Sequence, residues 1–498
     1  MTTEHKNLYE DLIETMILDG IKGMTPELRT VIETAPTEKQ RELILNFMEE
    51  NNPEHRLLCG EIRKVVANNK TSEYKHISSL VQMLRQYVKV SDVEVKTMGE
   101  VMTPIELVEE MLDTLPYEVW TNPNLKWLDP CNGVGTFVSV IIKRLMKGLE
   151  TFEPDAELRY KHIMENMIYT AELQSKNVFL YMYAFDPEDR YALNVFNGSY
   201  LSEEFDRHMK FWGVEKFDII VMNPPYQQFF AETNMKSVPL WDKFVAKTIN
   251  QLVDCGYLVA VHPDSWRRID GDFNKIRDLL RSKQITYLEV HNITDGLKTF
   301  GVQTTYDFYC LHNVPNTMFT KIKCQDGTTQ RVDISKMEYI PNGMYKEFEK
   351  LIAKNSEEKV KTLYSSSDYG NYKKVQMSKE QTEEHKYPCV YLTYKDGSVN
   401  FWYSNTKEKG HFGIPKIIFS KGGASSPIID ERGEYGVMNF AYAIIDEPKN
   451  LPFIQKALLH PDFIKLMSFA DGITGCRNRY NYKVITLFRK DFWKEFLY

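Results

Sequence analysis

Residues 216–230 read KFDIIVMNPPYQQFF, where a run of apolar, β-branched residues ends abruptly at two consecutive prolines. The FDIIV segment is typical of a buried strand. Proline has a fixed φ and no main-chain N–H, and it pushes the residue before it toward extended conformations. The pattern therefore predicts a strand that ends in a rigid polar corner carrying the amide of Asn223 and the ring of Tyr226.

Short β-rich runs alternate with helical stretches on both sides of this corner. The runs are KWLDP, MIYTAE, FDIIVMN, GYLVAVHP, ITYLEVHN and YDFYCLHN, and the helical stretches include GTFVSVIIKRLMKGL and PLWDKFVAKTINQLVDC. Such alternation predicts an α/β fold with a mostly parallel sheet covered by helices. No helical stretch is evident between the last two runs, so we expect them to form an antiparallel hairpin at the edge of the sheet.

Three regions differ in texture along the chain. Residues 1–95 place apolar residues at i, i+3, i+4 and i+7, which predicts a helical N-terminal region. The strand–helix alternation occupies residues 96–325. Residues 326–498 are rich in Tyr, Gly, Ser and Lys and predict a separate α+β domain, with a hairpin around Asp396-Gly397.

Composition limits the class of protein. The net charge of −7 argues against binding of nucleic acid by the whole surface but is compatible with a local basic cleft. The seven cysteines lack the close spacing of zinc ligands, so we predict no metal site and a reducing, cytoplasmic compartment. No apolar run reaches the ~18 residues of a membrane span, and the first residues lack the pattern of a secretory signal.

Residues 125–142, LKWLDPCNGVGTFVSVII, predict a strand, a glycine-containing turn and a helix. Gly133 and Gly135 tolerate unusual backbone conformations and allow the chain to pass close to a ligand. The start of the helix offers free N–H groups to an anion. Many tight turns of this kind contain glycines for packing alone, so the motif by itself leaves both interpretations open.

Three further sites surround this turn. Glu172 ends the next predicted strand, where an acid can accept hydrogen bonds from ribose hydroxyls or simply cap the following helix. Asn197 ends the third strand, where its amide either meets an adenine edge or forms a turn before Gly198. Thr103 and Pro104 begin a helix, with Thr103 as a plausible cap. The G-x-G-x-x-G spacing of a dinucleotide site is absent.

In chain order, Thr103-Pro104, LDPCNGVGTF, Glu172, Asn197 and NPPY resemble the motifs of amino-group DNA methyltransferases. The order resembles that of their γ class, which modifies adenine at N6, and the resemblance covers about residues 95 to 312. It implies a Rossmann-like class I methyltransferase sheet, S-adenosylmethionine as cofactor and a C-terminal target recognition domain. The cofactor residues that it implies are Thr103, Pro104, Asp129, Pro130, Asn132, Gly133, Gly135, Phe137, Glu172, Asn197 and Gly198.

The resemblance also assigns a role to the corner. The side-chain oxygen of Asn223 and the main-chain carbonyl of Pro224 would hold the two hydrogens of an exocyclic amine, and Pro225 would keep the corner rigid. The ring of Tyr226 would stack on an adenine extruded from double-stranded DNA. Phe300 is a candidate second ring beside that base, although a core phenylalanine fits the same pattern.

The resemblance places DNA contacts in the C-terminal domain. Basic residues interleaved with aromatic and glycine residues are the candidates there, although solvated loops have the same composition: Lys373, Lys374, Lys416, Lys421, Arg477 and Arg479. The context would be restriction–modification or phage DNA modification, with a cognate restriction endonuclease or a specificity subunit as partner.

Alternatives remain open at this point. A methyltransferase acting on RNA or on a protein glutamine would also carry NPPY, because a glutamine amide poses the same chemical problem. A third alternative is a bifunctional enzyme that also cleaves DNA, since DVEVK, residues 92 to 96, has the Glu-x-Lys spacing found in metal nucleases.

Overall fold

A computed structural model gives the fold of the chain. It describes residues 46, 103–186, 189–228, 238–269, 272–364, 377–420, 425–470 and 481–497. The predicted N-terminal helical region, residues 1–95, and the DVEVK segment lie outside these residues, apart from Asn46.

The largest sheet among the described residues has nine strands. They are β1 (Trp127–Asp129), β2 (Ile168–Glu172), β3 (Asn194–Asn197), β4 (Phe217–Met222), β7 (Leu252–Pro263), β8 (Lys283–His291), β9 (Tyr306–Pro315), β10 (Thr320–Lys323) and β11 (Thr329–Val332). Their spatial order is β11-β10-β8-β9-β7-β4-β1-β2-β3. Two short strands, β5 (Gln227–Gln228) and β6 (Val238–Pro239), form a separate antiparallel ribbon just after the corner.

The sheet is mostly parallel, as predicted. Strands β1, β2, β3, β4 and β7 pair in parallel, and β10 pairs in parallel with β8. Strand β9 is antiparallel to both β7 and β8 and lies between them. The expected antiparallel hairpin of β8 and β9 is therefore confirmed, but its edge position is wrong, because β10 and β11 extend the sheet beyond β8.

Helices cover both faces of this sheet. The bounds of the described helices in the first 300 residues are α1 (Ile105–Leu112), α2 (Thr136–Gly148), α3 (Ala156–His162), α4 (Ser175–Phe185), α5 (Glu203–Phe211), α6 (Trp241–Gln251), α7 (Asn274–Ser282) and α8 (Ile293–Phe300). One apolar core forms where α1, α2 and α4 pack on one face, and a second forms under α5, α6 and α7 on the other. In the sequence, helix α8 connects β8 to β9, so the prediction of no helix between these two strands is wrong.

Helix α8 was not predicted because its segment, ITDGLKTF, is short and contains a glycine. Asn292 nonetheless caps it, with its side chain accepting from Thr294 and Asp295, and Asp295 closes the capping box. Gly296 sits against the main-chain carbonyl of Thr304, where any Cβ would overlap it. Close packing at this point therefore needs the glycine that weakens the helical pattern.

The C-terminal part is α+β. Two four-stranded sheets, in the orders β12-β19-β16-β17 and β13-β15-β14-β18, pack with helices around further apolar cores. The strands are β12 (Lys361–Tyr364), β13 (Met377–Ser378), β14 (Tyr387–Thr393), β15 (Val399–Ser404), β16 (Lys416–Ser420), β17 (Ile428–Asp430), β18 (Gly436–Val437) and β19 (Ala441–Ile445). The helices are α9 (Tyr345–Leu351), α10 (Leu451–Leu459), α11 (Pro461–Ala470) and α12 (Tyr482–Ile485).

The predicted hairpin around Asp396-Gly397 is confirmed. Strands β14 and β15 pair antiparallel across it, Gly397 has a φ of 84°, and the Asp396 side chain accepts from the Ser398 N–H. A positive φ at this position explains why the turn carries glycine.

A buried arginine joins the large sheet to the segment that leads into the C-terminal part. Arg267 donates from Nε and a terminal nitrogen to both oxygens of Asp307 on β9, at 2.7 and 3.0 Å. Its other terminal nitrogen donates to the carbonyl of Ile340 and to Oδ1 of Asn342. The Asn342 main chain in turn donates to the carbonyl of Phe469 in α11. One guanidinium thus connects three segments.

Within the described residues, none of the helices has the length and apolarity needed to cross a membrane.

Candidate active site

The site residues predicted from the sequence follow neighbouring parallel strands. Asp129 ends β1, Glu172 ends β2, Asn197 ends β3, and Asn223 directly follows β4. These four strands are adjacent in the order β3-β2-β1-β4. Their carboxyl ends therefore meet at one edge of the sheet, which is where ligands bind in open α/β folds.

The loop between β1 and α2 is held against β2. The N–H of Asn132 donates to the carbonyl of Ala171, and the N–H of Gly133 donates to Oε2 of Glu172 at 2.8 Å. The other oxygen of Glu172 accepts from the N–H of Gln174 at 2.9 Å. The carboxylate of Glu172 is thus the element that fixes the loop, and it caps no helix, since the N-cap of α4 is Gln174.

The two glycines of the loop have different roles. Both have positive φ, 56° at Gly133 and 91° at Gly135. A Cβ at Gly133 would meet nothing within 4 Å, whereas a Cβ at Gly135 would lie 2.5 Å from the Phe185 ring and 2.8 Å from the Tyr181 ring. Gly133 therefore borders open space, and Gly135 allows α2 to pack against α4. Phe137, predicted as a cofactor contact, lies in the apolar core at 4% exposure.

The carboxyl group of Asp129 is buried at the base of the loop. Burial raises the pKa of Asp129 to about 8, and the nearby negative charge of Glu172 adds to this, while hydrogen bonds from Cys131 oppose it. One oxygen of Asp129 accepts from the N–H of Cys131 at 3.2 Å. Among the described residues, Oδ2 of Asp129 and Oδ1 of the buried Asn132 have no hydrogen-bond partner. Two buried acceptors thus remain at the loop for a ligand to satisfy.

The third strand end contributes a hydrogen-bonded turn. The Asn197 amide donates to Oγ of Ser175, the first residue of α4, at 3.0 Å. The N–H of Gly198 donates to the main-chain carbonyl of Glu172 at 2.9 Å. Asn197 and Gly198 are therefore adjacent to Glu172, as their positions at neighbouring strand ends require.

The corner after β4 is tied to two distant segments. The Asn223 amide donates from Nδ2 to Oγ1 of Thr103 at 3.0 Å, across 120 positions of sequence. The main-chain carbonyl of Tyr226 accepts from the N–H of Leu240, which follows the ribbon β5–β6. Pro224 is buried and Pro225 is half-buried. The corner is thus fixed at both ends.

The predicted cap at Thr103 is wrong. Helix α1 has Pro104 as its N-cap, with no side-chain hydrogen bond, so Thr103 lies one position too early to cap it. The buried hydroxyl of Thr103 contacts Asn223 instead.

The ring of Tyr226 is partly exposed while its hydroxyl is buried. Burial raises the pKa of Tyr226, and the nearby Tyr306 and Asp307 raise it further, so the phenol is neutral. Among the described residues, no group forms a hydrogen bond with this hydroxyl.

A buried histidine that was not among the predicted site residues lies on β7, the strand that neighbours β4. His262 is fully buried two residues beyond Ala260, the register partner of Met222. Its ring stacks on Trp241 with centroids 4.4 Å apart, and its Nε2 lies 3.1 Å from the hydroxyl of Tyr309. Burial lowers the pKa of His262 to about 4, opposed by a hydrogen bond with the carbonyl of Pro263, so the ring is neutral. The available signal was a histidine that directly follows the apolar residues Leu258 to Val261, all of which are buried.

Phe300 lies at the same edge of the sheet, at the end of α8. Its ring is half-buried and meets the ring of Tyr306 edge-on, with centroids 4.9 Å apart. Tyr306 in turn stacks on His291 at 4.2 Å. Phe300 packs against the core from this position, and its contact with a base stays a prediction.

Among the basic residues predicted to contact DNA, Lys416 requires a correction. Its side chain is fully buried in β16, where Nζ pairs with Oδ2 of Asp430 at 2.7 Å. Register pairing places the two residues directly opposite one another on β16 and β17. Lys416 therefore forms a structural ion pair with Asp430, and its buried ammonium group cannot contact a DNA phosphate. The remaining candidates, Lys373, Lys374, Lys421, Arg477 and Arg479, lie outside the described residues.

The strand order and the loop at the carboxyl edge define an α/β fold of the class I methyltransferase type. The predicted fold class is thus confirmed. Residues 120–300 match the model of the family described as Eco57I restriction-modification methylase. The resemblance to methyltransferases of restriction–modification systems is therefore confirmed for this central segment of the chain.

The chain is also similar to individual proteins. A protein of Mycoplasma pneumoniae, described as an uncharacterized adenine-specific methylase, is 26% identical over 317 residues, which are 48% of this chain and 73% of that protein. The solved structure of the type IIL restriction-modification enzyme MmeI in complex with DNA matches with a TM-score of 0.53 and 11% identity, over 98% of this chain and 88% of that one. The type ISP restriction-modification enzyme LlaBIII bound to DNA matches at a TM-score of 0.48 and 10% identity, over 87% of this chain and 39% of that one. The MmeI likeness supports the fold along most of the chain.

Proposed function

We propose that the protein is an S-adenosylmethionine-dependent DNA methyltransferase that modifies the N6 amine of adenine. The observation that carries this proposal is the rigid Asn223-Pro224-Pro225-Tyr226 corner beside a glycine loop that has two unsatisfied buried acceptors. The restriction–modification family match and the adenine-specific methylase among the similar proteins support it.

The corner suits an exocyclic amine as substrate. Such an amine is a poor nucleophile because its lone pair is delocalised into the ring. The Asn223 side-chain oxygen and the Pro224 carbonyl would accept its two hydrogens and favour tetrahedral geometry at nitrogen. Because both acceptors lie on a proline-stiffened corner, they need no rearrangement during the reaction.

The loop fits the cofactor by the chemistry of its groups. Asp129 Oδ2 and Asn132 Oδ1 would accept from the donors of the methionine part, and Glu172 would accept from the ribose hydroxyls. The open space beside Gly133 would let the cofactor approach the main chain. Glu172 would also provide negative charge near a cationic ligand, and such a ligand would favour the ionised form of Asp129. When bound, S-adenosylmethionine supplies an activated methyl group on a sulfonium.

The substrate base must leave the duplex to reach this edge of the sheet. Tyr226 presents an aromatic face there, which would replace the stacking that the base loses. Phe300 would be a second ring at the same edge. The C-terminal α+β part would serve as the target recognition domain, with double-stranded DNA as substrate and a cognate restriction endonuclease or a specificity subunit as partner.

A competition of substrate classes tests the proposal. Purified protein and S-adenosylmethionine with a radiolabelled methyl group are incubated separately with unmethylated double-stranded DNA, with RNA and with a glutamine-containing protein. We expect label in the DNA alone. Label in RNA or protein, with none in DNA, would overturn the substrate assignment.

A further inference from the structure

The side chain of Asn223 has an unusual neighbour in Thr103. Thr103 is only 6% exposed. Its hydroxyl accepts a hydrogen bond from Nδ2 of Asn223 at 3.0 Å. The contact joins the segment before α1 to the corner after β4. The bond is part-buried, and a hydrogen bond away from bulk water is stronger than one in water.

The Thr103 hydroxyl does not cap helix α1, which follows it. Pro104 is the N-cap of α1, and the first main-chain hydrogen bond of the helix runs from the N–H of Val108 to the Pro104 carbonyl. Pro104 itself has an extended conformation, with φ −59° and ψ 143°. The extended turn directs the chain so that Thr103 lies beside the corner.

A carboxamide has a donor end and an acceptor end, and rotation by half a turn exchanges them. The Thr103 hydroxyl can accept from the donor end or donate to the acceptor end. In the structure it accepts from Nδ2, which places Oδ1 on the opposite side of the amide. If the amide rotated, it would present a donor to an amine that also carries donors, and the two would repel. The function proposed for Asn223 therefore depends on which way its amide points.

We propose that Thr103 is a positioning residue that holds the Asn223 amide in the orientation in which its oxygen faces the substrate amine. This inference rests on the function proposed above and adds to it a role for a residue outside the NPPY corner. The resemblance placed Thr103 among the cofactor residues, whereas the contact found for its hydroxyl is with Asn223. Because Thr103 acts through Asn223 in this proposal, its effect should fall on the transfer step and not on cofactor affinity.

A second contact holds the main chain of the same residue. Burial raises the pKa of the half-buried Cys131 thiol, in the loop between β1 and α2, and a hydrogen bond from the main-chain N–H of Asn223 opposes that rise. Asn223 is thus held at its main chain by the loop and at its side chain by Thr103. Loss of the hydroxyl would free the amide alone, with the main chain still in place.

The test uses two substitutions at one position. Thr103→Val keeps the shape and removes the hydroxyl, whereas Thr103→Ser keeps the hydroxyl. Thr114→Val is the matched control, because Thr114 lies just after the other end of α1 and its hydroxyl donates to the Met111 carbonyl. For each protein, single-turnover methyl transfer to DNA is measured at saturating S-adenosylmethionine, and cofactor affinity is measured separately by calorimetry.

We expect Thr103→Val to slow transfer by about 10- to 100-fold, the range for loss of one positioning interaction. Its cofactor affinity should stay within about twofold of the wild type, and Thr103→Ser and Thr114→Val should transfer at near wild-type rates. In an Asn223→Ala background, Thr103→Val should cause no further loss, because a residue that acts only through Asn223 has nothing left to orient.

Three results would overturn the inference while leaving the proposed function intact. They are a wild-type transfer rate in Thr103→Val, a loss confined to cofactor affinity, and a Thr103→Ser variant as slow as Thr103→Val. If wild-type protein produced no N6-methyladenine in DNA, the proposed function would fail and the inference with it.

Discussion

Oε2 of Glu172, at the end of β2, accepts a hydrogen bond of 2.8 Å from the N–H of Gly133 in the neighbouring loop. One carboxylate thus fixes the loop, and under the proposed function it would also accept from the ribose hydroxyls. Replacement by alanine removes both interactions, so we expect Glu172→Ala to weaken S-adenosylmethionine binding by about 10- to 100-fold, the range for a hydrogen bond to a charged group. Calorimetry with the purified protein measures the change.

Glu165→Ala provides the comparison for this prediction. The Glu165 carboxylate also accepts from a main-chain N–H, that of Ala192, but it lies at the amino end of β2. We expect this variant to bind the cofactor as the wild type does. Equal affinities for Glu172→Ala and the wild type would mean that the ribose contact is misplaced.

The buried Asp129 predicts a pH dependence of stability. Its pKa is raised to about 8 in the folded protein, above the ordinary value of 3.8. Its contribution to stability is therefore complete below about pH 4 and is lost as the pH rises toward 8. Asp129→Asn mimics the protonated form, so its stability advantage over the wild type should grow between pH 4 and 8, to a few kcal/mol at most.

Urea unfolding of both proteins across this pH range measures that difference. The ligand-free proteins must be used, since a bound cation would favour the ionised carboxylate. A difference that stays constant from pH 4 to 8 would show that Asp129 ionises at its ordinary pKa and is not buried as described.

The two loop glycines should respond differently to alanine. A Cβ at Gly135 would lie 2.5 Å from the Phe185 ring, so we expect Gly135→Ala to destabilise the protein by about 2 to 4 kcal/mol, the cost of overpacking plus a left-handed φ. Gly133 has open space for a Cβ, so Gly133→Ala should cost only about 1 to 2 kcal/mol from its backbone conformation.

Under conditions in which both variants are folded, Gly133→Ala should lose more cofactor affinity than Gly135→Ala, although it loses less stability. Gly133→Ala fills the space that the cofactor would occupy, whereas Gly135 faces the core. Urea midpoints and calorimetry together measure the two effects. Similar stability losses in both variants would contradict the different surroundings of the two glycines.

Arg267 predicts a large stability effect from one substitution. Arg267→Met would leave the buried carboxylates of Asp307 and Asp264 without their main cation, so we expect a loss of about 3 to 5 kcal/mol in unfolding free energy. Arg268→Met removes a partly exposed partner of Asp264 and should cost less than about 1 kcal/mol. Comparable losses in the two variants, measured by urea unfolding, would mean that Arg267 is not the central contact of this network.

The sequence predicted the carboxyl edge of the sheet well, because that prediction needs only local patterns and one general rule. Each of Asp129, Glu172 and Asn197 follows a recognisable buried strand, and parallel strands bring such positions together. The Asp396-Gly397 turn was predictable for the same reason, since two adjacent residues determine it.

Contacts between distant segments were not predictable in this way. The pairing of Thr103 with Asn223 depends on how α1 packs against the sheet, which no local pattern encodes. The insertion of β9 between β7 and β8 likewise depends on strand pairing across the whole sheet. For Lys416 a signal was available, because it directly precedes the apolar residues Ile417 to Phe419 of β16, a strand whose residues are all buried.

The central claim is that the corner at Asn223 transfers a methyl group to the N6 amine of adenine in DNA. The most direct measurement is nucleoside mass spectrometry of unmethylated double-stranded genomic DNA after incubation with purified protein and S-adenosylmethionine. We expect N6-methyladenine with the wild type and, with an Asn223→Ala variant that still binds the cofactor, a loss of about 100-fold or more. Equal amounts of N6-methyladenine from the two proteins, or no methylated adenine from a wild type that binds the cofactor, would contradict it.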